Sequence, residues 1–371
     1  MRPAVSRPSW AEIDRDAISA NVAAIADRVD PAILCAVIKA DGYGHGSVEA
    51  ARAAIAGGAG WLAVAVADEG HELRDSGIDV PVLVLSDSAP EALADAGRAG
   101  LTLTVSTKSS IERVAALGDN RPTVHLKVDT GMHRMGCDPT AAAGLLRTAA
   151  EAGVEVGGVF THLAVADDPA QDDVSASQLS TFNRVLDELS TAGLRPPLAH
   201  AANSAGALFH PAGVFDMVRC GIAIYGQIPD ASMGLPEGLE LRPAFSLMSQ
   251  VTAVRSVPAG DGVGYGWIRR MEEAVRIATV PLGYADGVPR CLGEAAAEVL
   301  IRDQRCPLAG RVTMDQLMVR VPDEVEVGDE VVLVGAQGKE RVTLDDWATM
   351  AGTINYELLT GFGSRLPRRY V

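Results

Sequence analysis

Lysine is scarce in this chain of 371 residues: 28 of its 32 basic residues are arginine, leaving only Lys39, Lys108, Lys127 and Lys339. Where lysine is used, its own chemistry has to be asked about first. Cysteine is also sparse. Cys35, Cys137, Cys220, Cys291 and Cys306 are odd in number and form no CxxC pair, which argues against a disulfide framework or a zinc site. No apolar run approaches the roughly 18 residues of a membrane span, and the amino terminus has no apolar core of the secretory kind. The chain is therefore expected to be cytoplasmic. A net charge of −16, spread along the sequence, counts against nucleic acid or an anionic membrane as partner. Disorder is not indicated, because 48% of residues are hydrophobic and 22% charged, an ordinary globular balance.

The length exceeds the roughly 250–300 residues over which one core keeps growing, so two domains are expected. Asp14 is placed to cap a helix over Ile18, Val22 and Ile25 that ends near Pro31. The apolar run 32–38 then reads as a buried strand. Similar runs follow at Trp61 to Val66, Pro81 to Leu85, Leu101 to Val105, Thr123 to Val128, Val156 to Thr161, in a short stretch ending near Ala202, and at Phe215 to Arg219, separated by alanine-rich helical stretches. About eight β/α units of this kind predict a (β/α)8 barrel. The rival is a doubly wound open sheet, and no GxGxxG follows the first strand to support it. Around residues 226–236 the texture becomes turn-rich. Beyond it, valine-rich stretches at Leu247 to Val257, Val275 to Val280, Val299 to Ile301, Leu317 to Val321 and Val331 to Val334 predict a mainly β domain. The expected division is a barrel over 10–238 and a β-rich domain over 239–371 together with 1–9.

Lys39 follows the first buried strand and precedes a loop with three glycines, Gly42, Gly44 and Gly46. An ammonium so placed finds a partner or loses its proton, and a neutral amine at the mouth of a pocket can form an imine with a carbonyl. Asp129, His162, Asn203 with Ser204, and Arg219 also stand at or just past the carboxyl ends of predicted strands, the face on which barrels build active sites. Any one of them could simply cap a loop; five in phase with the strands make that reading hard to keep. Small residues after the seventh and eighth strands suit a phosphate. With an imine-forming lysine, that combination points to pyridoxal phosphate. Lys127 lies inside a strand pattern, which is costly unless it is paired. Arg134 in the next loop either completes a salt-bridged interior or receives a substrate carboxylate.

Nine blocks together carry a family resemblance: VIKADGYGHG at 37–46, HLKVDTGMHRMG at 125–136, THLA at 161–164, HAANSAGA at 200–207, MVRCGIAIYG at 217–226, GYG at 264–266, PLGYADGVPR at 281–290, RVTMDQLMV at 311–319 and INYE at 354–357. The chain resembles the bacterial alanine racemases, fold-type III pyridoxal-phosphate enzymes, over essentially its whole length. The resemblance implies racemisation of alanine for peptidoglycan by a homodimer with shared sites. Lys39 would hold pyridoxal 5'-phosphate as an internal aldimine and act as the base for D-alanine. Tyr265, from the partner subunit, would be the base for L-alanine. Tyr43, Tyr356, Ser204, Gly221 and Ile222 match phosphate positions, while Asn203 and His162 match other cofactor-pocket positions. Arg219 matches the arginine facing the pyridine nitrogen, Arg134 and Met314 the substrate-carboxylate positions, and Tyr284 and Asp315 the entrance. Lys127 matches a site that is carbamylated in some relatives.

The physical logic of racemisation agrees with these roles. Removing a proton from one face of the α-carbon and returning one to the other needs two bases on opposite sides. Tyrosine starts near pKa ~10 and needs cationic or hydrogen-bonding help to serve near neutrality. Four positions depart from the common form: Asp41 and Gly42 where Asn-Ala is frequent, Asn355 before Tyr356 where Pro or Ala is usual, and Thr313 in place of cysteine. The alternatives are a pyridoxal-phosphate-binding homeostasis protein without turnover, which would lack the second domain, and a racemase of broader specificity or a decarboxylase.

Overall fold

The computed structural model describes residues 7–371, so residues 1–6, expected in the second domain, lie outside the described residues. Two compact units divide the described chain, one of residues 16–242 and one of 7–15 with 243–371. The expected boundaries were 9/10 and 238/239. The difference at the amino end has a clear cause. The segment SWAEI, just before the helix that Asp14 was expected to cap, is β1 (Ser9–Ile13), and its backbone is paired by strands of the second unit.

After the helix Arg15–Val29, eight parallel strands follow: β2 (Ile33–Val37), β3 (Trp61–Val64), β4 (Val82–Val84), β5 (Thr102–Val105), β6 (Val124–Lys127), β7 (Val156–Phe160), β8 (Leu198–His200) and β9 (Met217–Cys220). They pair in the order β8-β7-β6-β5-β4-β3-β2-β9. Two backbone hydrogen bonds close the ring, from the Asp216 amide to the Ala199 carbonyl (3.0 Å) and from the Arg219 amide to the Ala202 carbonyl (2.9 Å). This is the (β/α)8 barrel the repeat predicts. Helices cover the outside, so the strands are apolar on both faces, as parallel strands buried on two sides must be. The barrel interior departs from that rule. His125, Lys127, His200 and Arg219 are all buried, on strands whose alternate residues point inward.

The second unit is mainly β. Its larger sheet runs β14 (Gln304–Pro307), β13 (Glu298–Ile301), β16 (Glu330–Gln337), β10 (Phe245–Gln250), β1 and β18 (Arg368–Tyr370), with β17 (Glu340–Val342) in a hairpin on β16. A three-stranded sheet joins β11 (Ala253–Val257), β12 (Val275–Val280) and β15 (Leu317–Val321). The stretch 247–257, read as one run, is thus two strands in different sheets, broken at Val251-Thr252. Thr343 and Asp346 form a capping box for the helix Leu344–Ala351, with bonds of 3.0 and 2.8 Å.

Candidate active site

At the end of β2 the ladder continues one residue further, the Ile38 amide donating to the Ala63 carbonyl at 2.7 Å. Lys39 comes next. The chain then makes a left-handed turn: Ala40, Asp41, Gly42 and Tyr43 have φ of 53°, 54°, 59° and 53°. Three of the four carry a β-carbon, and each of those costs about 1–2 kcal/mol in this conformation. Such a turn persists only where its surroundings over-determine it. The amides of Gly42, Gly44 and Gly46 donate to the carbonyls of Ile38, Ala40 and Asp41 at 2.9, 3.0 and 2.9 Å. The Asp41 carboxylate accepts the Ser47 amide (2.9 Å) where the helix Ser47–Ala56 begins, and a Glu69 carboxylate oxygen accepts the Ala40 amide at 2.7 Å. Glycine at 42 removes the strain at one of the four positions, and aspartate at 41 is among the side chains that tolerate this conformation best. Burial lowers the pKa of Lys39, Arg134 lowers it further, and Glu69 opposes both.

Behind this turn lies a buried column of nitrogen ligands. Arg219 donates from Nη1 to His200 Nδ1 (2.7 Å) and from Nη2 to the carbonyls of Thr161 (2.9 Å) and Ala201 (3.0 Å), with His162 Nδ1 at 3.2 Å. His200 in turn reaches His125 across 2.9 Å. Burial first, then the positive charge of Arg219, holds His162 and His200 well below the usual histidine range, so both are neutral and free to accept. His125 is lowered to about 3 for the same two reasons. These four acceptors of Arg219 are two neutral imidazole nitrogens and two carbonyls, with no carboxylate among them.

Lys127 is buried with its Nζ 5.1 Å from the centroid of the Phe160 ring, which Arg219 approaches at 5.2 Å. Burial, then Arg219 and Arg134, lower its pKa to about 7. Arg134 itself is exposed, on a loop folded by Asp129. Asp129 Oδ1 accepts the amides of Gly131, Met132 and His133 at 3.0–3.1 Å, while Oδ2 lies 3.2 Å from His133 Nδ1. Partial burial opposes ionisation, yet these bonds leave the carboxyl below its usual range.

The loops after β8 and β9 meet through Ser204. Its Oγ accepts the Gly221 amide at 2.9 Å and the Ala223 amide at 3.4 Å. Asn203 caps the short helix Ser204–Phe209 by accepting the Gly206 amide at 2.9 Å. Gly221 has to be glycine here, because a β-carbon would collide with the Tyr43 hydroxyl. Lys39, Tyr43, Arg134, His162, Asn203, Ser204, Arg219, Gly221 and Ile222 thus all belong to the carboxyl ends of the barrel strands and their loops.

The second unit holds the remaining residues. Tyr265 is 72% exposed, at the tip of a loop in which Gly264 and Gly266 have φ of 71° and 76°; Met314 (53%) and Tyr284 (43%) are exposed as well. The Tyr284 and Met314 loops are stitched together, with the Tyr284 amide on the Thr313 carbonyl and the Ala285 amide on the Met314 carbonyl, each 3.0 Å. Buried Asp286 takes Arg7 through two bonds (2.7 and 2.8 Å), and Arg365 joins Asp286 (3.5 Å) to Asp315 (2.7 Å). Tyr356 lies on the helix Asn355–Gly361.

Two family models match this chain, the alanine racemase N-terminal domain over residues 13–229 and the alanine racemase C-terminal domain over 244–370. The chain belongs to the alanine racemase family. An alanine racemase of Symbiobacterium thermophilum is 45% identical over 370 residues, covering 98% of this chain and 97% of that one. The crystal structure of an alanine racemase from E. faecalis superposes with a TM-score of 0.94 at 38% identity, each chain covered completely. A histidine racemase from Leuconostoc mesenteroides subsp. sake superposes at 0.91 and 30% identity, covering 99% of this chain and 98% of its own.

Three polar groups near the site went unremarked as functional in the sequence. His125 could have been found, since it stands two residues before Lys127 in one strand and so faces the same way. His200 carries the same signal weakly. Glu69 carries none, because its contact with Ala40 spans 29 residues of chain and two elements.

Proposed function

We propose that this protein is a pyridoxal-phosphate-dependent alanine racemase, interconverting L- and D-alanine as a homodimer whose sites take Lys39 from one subunit and Tyr265 from the other. The observation that carries the reading is the family match over both units, including the one that bears Tyr265. A homeostasis protein confined to the barrel is thereby disfavoured.

The residues fit the cofactor. The Ser204 hydroxyl, which gathers the Gly221 and Ala223 amides, and the Tyr43 hydroxyl beside the bare backbone of Gly221, where no side chain fits, suit a phosphate. Arg219 suits a ring nitrogen that carries no proton: it is already satisfied by neutral acceptors, and its fixed positive charge opposes a second one beside it. An aspartate there would favour the opposite state. When bound, pyridoxal phosphate supplies a conjugated ring that draws electrons from the α-carbon of an amino acid joined to it.

The chain's own part is then to hold and move protons. Lys39 Nζ, whose pKa burial and Arg134 lower, takes the α-proton of D-alanine on one face. Tyr265 Oη takes that of L-alanine on the other, and each donates in the reverse direction. Arg134 receives the substrate carboxylate, a task for which a planar guanidinium is suited, with the Met314 amide of the partner subunit beside it. Among the described residues no helix is long and apolar enough to cross a membrane, in keeping with a cytoplasmic enzyme that feeds D-alanine to the cell wall.

The likeness to a histidine racemase gives one reason to consider a second reading, a racemase of wider substrate range. An assay over a panel of amino acids, with and without added pyridoxal phosphate, decides. Alanine turnover that depends on the cofactor and exceeds all other substrates supports the proposal. Cofactor-independent turnover, or a preference for larger side chains, contradicts it.

A further inference from the structure

Glu69 lies in the first turn of the helix Ala67–Asp75, which follows β3, and its two carboxylate oxygens serve two different elements. Oε2 accepts the amides of Ala65 (2.7 Å) and Val66 (3.3 Å), closing the end of β3 onto the start of the helix. Oε1 accepts the amide of Ala40 at 2.7 Å. That amide belongs to the peptide bond joining Lys39 to Ala40, where the left-handed turn begins. The hydrogen bonds inside the turn start further on, at the amides of Gly42, Gly44 and Gly46. The peptide adjoining the lysine is held from outside by Glu69.

We propose that Glu69 is a positioning residue for Lys39. Its carboxylate fixes the Lys39–Ala40 peptide against the end of β3 and supplies the negative field in which the Lys39 amine takes and releases its proton. The inference rests on the reading of Lys39 as the base for D-alanine. The charged and titratable groups facing that amine are Arg134 from the loop after β6, His162 from the loop after β7, Glu69 from the first turn of the helix after β3, and Tyr43 on its own turn, which also carries Asp41. His162 is neutral, and the Asp41 carboxylate is engaged with the Ser47 amide. Burial is the largest influence at Nζ and disfavours the ammonium; among the charges, Arg134 adds to that effect and Glu69 opposes it. Removing the Glu69 charge leaves Arg134 unopposed.

The test uses the holoenzyme with Glu69→Gln, which keeps the size but loses the charge and turns one acceptor into a donor facing an amide. Glu69→Asp serves as the charge-conserving partner. In the D-to-L direction Lys39 has to be neutral to act, so the acid limb of the kcat profile should move to lower pH by on the order of one unit in Glu69→Gln. The L-to-D acid limb should stay in place, and Glu69→Asp should restore the wild-type position. Turnover should fall about tenfold with KM within about twofold. Independently of activity, amide hydrogen exchange in the segment 38–47 of the cofactor-free protein should quicken about tenfold in Glu69→Gln. Unmoved limbs with unchanged exchange would overturn the proposal, as would an equal shift of both limbs. Borohydride reduction and peptide mapping of the wild type separates the two readings. Cofactor found on Lys39 with an inert Glu69→Gln removes Glu69 alone, whereas cofactor found elsewhere removes both.

Discussion

At the scale of single residues, two lysines carry opposite lessons. Lys39→Ala should abolish racemisation in both directions together with the visible absorbance of bound cofactor; a variant that kept its colour and turnover would contradict the assignment. Tyr265→Phe should slow proton abstraction from L-alanine far more than from D-alanine, read as solvent deuterium uptake in single turnovers, and an equal loss would argue against a dedicated second base. Lys127 is held at about 7 by burial and by Arg219 and Arg134. Its pKa is lower folded than unfolded, so the unfolded chain binds more protons between about 7 and 10.5, and stability rises with pH across that window. Below it the buried ammonium costs its full amount. In carbonate-free buffer near pH 6, Lys127→Met should therefore stabilise the cofactor-free protein by about 1–4 kcal/mol in urea unfolding, with the difference fading above pH 10. A neutral amine also reacts with carbon dioxide, forming an N–C bond and releasing a proton. Native intact mass at ambient bicarbonate should show that adduct, lost in Lys127→Met. Lys39 was legible because an apolar strand running into a glycine loop is an odd place for a cation. The left-handed conformation of Ala40 was not, since nothing in an alanine announces φ of 53°.

At the scale of elements, strands buried on both faces were readable as apolar runs: β2 to β7 fall inside the stretches named for them, β8 ends two residues before Ala202, and β9 runs one residue past its stretch, to Cys220. Pairing was less readable. β1 looks like the approach to a helix because its partners, β10 and β18, lie more than two hundred residues downstream. The loops after β8 and β9 were legible as small-residue turns, yet the demand for glycine at 221 emerges only when Tyr43 is seen beside it. Gly221→Ala tests that packing. Spectroscopic titration of the cofactor-free protein should show pyridoxal phosphate binding about tenfold weaker, about 1.4 kcal/mol, with the fold intact by circular dichroism. Undiminished affinity would mean that Tyr43 can move aside at no cost.

At the scale of the whole molecule, the chain divides its proposed chemistry between two units. The barrel carries Lys39, Arg219 and the small-residue loops after β8 and β9, and the β-rich unit presents Tyr265, Tyr284 and Met314 as exposed side chains. The two-domain division could be read from length and from the change of texture near residue 230. The assignment of the two bases to different subunits comes only from the resemblance. The most direct test mixes two inactive proteins, Lys39→Ala and Tyr265→Phe, under conditions that exchange subunits. If each site takes its lysine from one subunit and its tyrosine from the other, every mixed dimer has one intact site, and random exchange at equal amounts should restore about a quarter of wild-type activity. No recovery after demonstrated exchange would contradict the account, because both bases would then have to come from one chain.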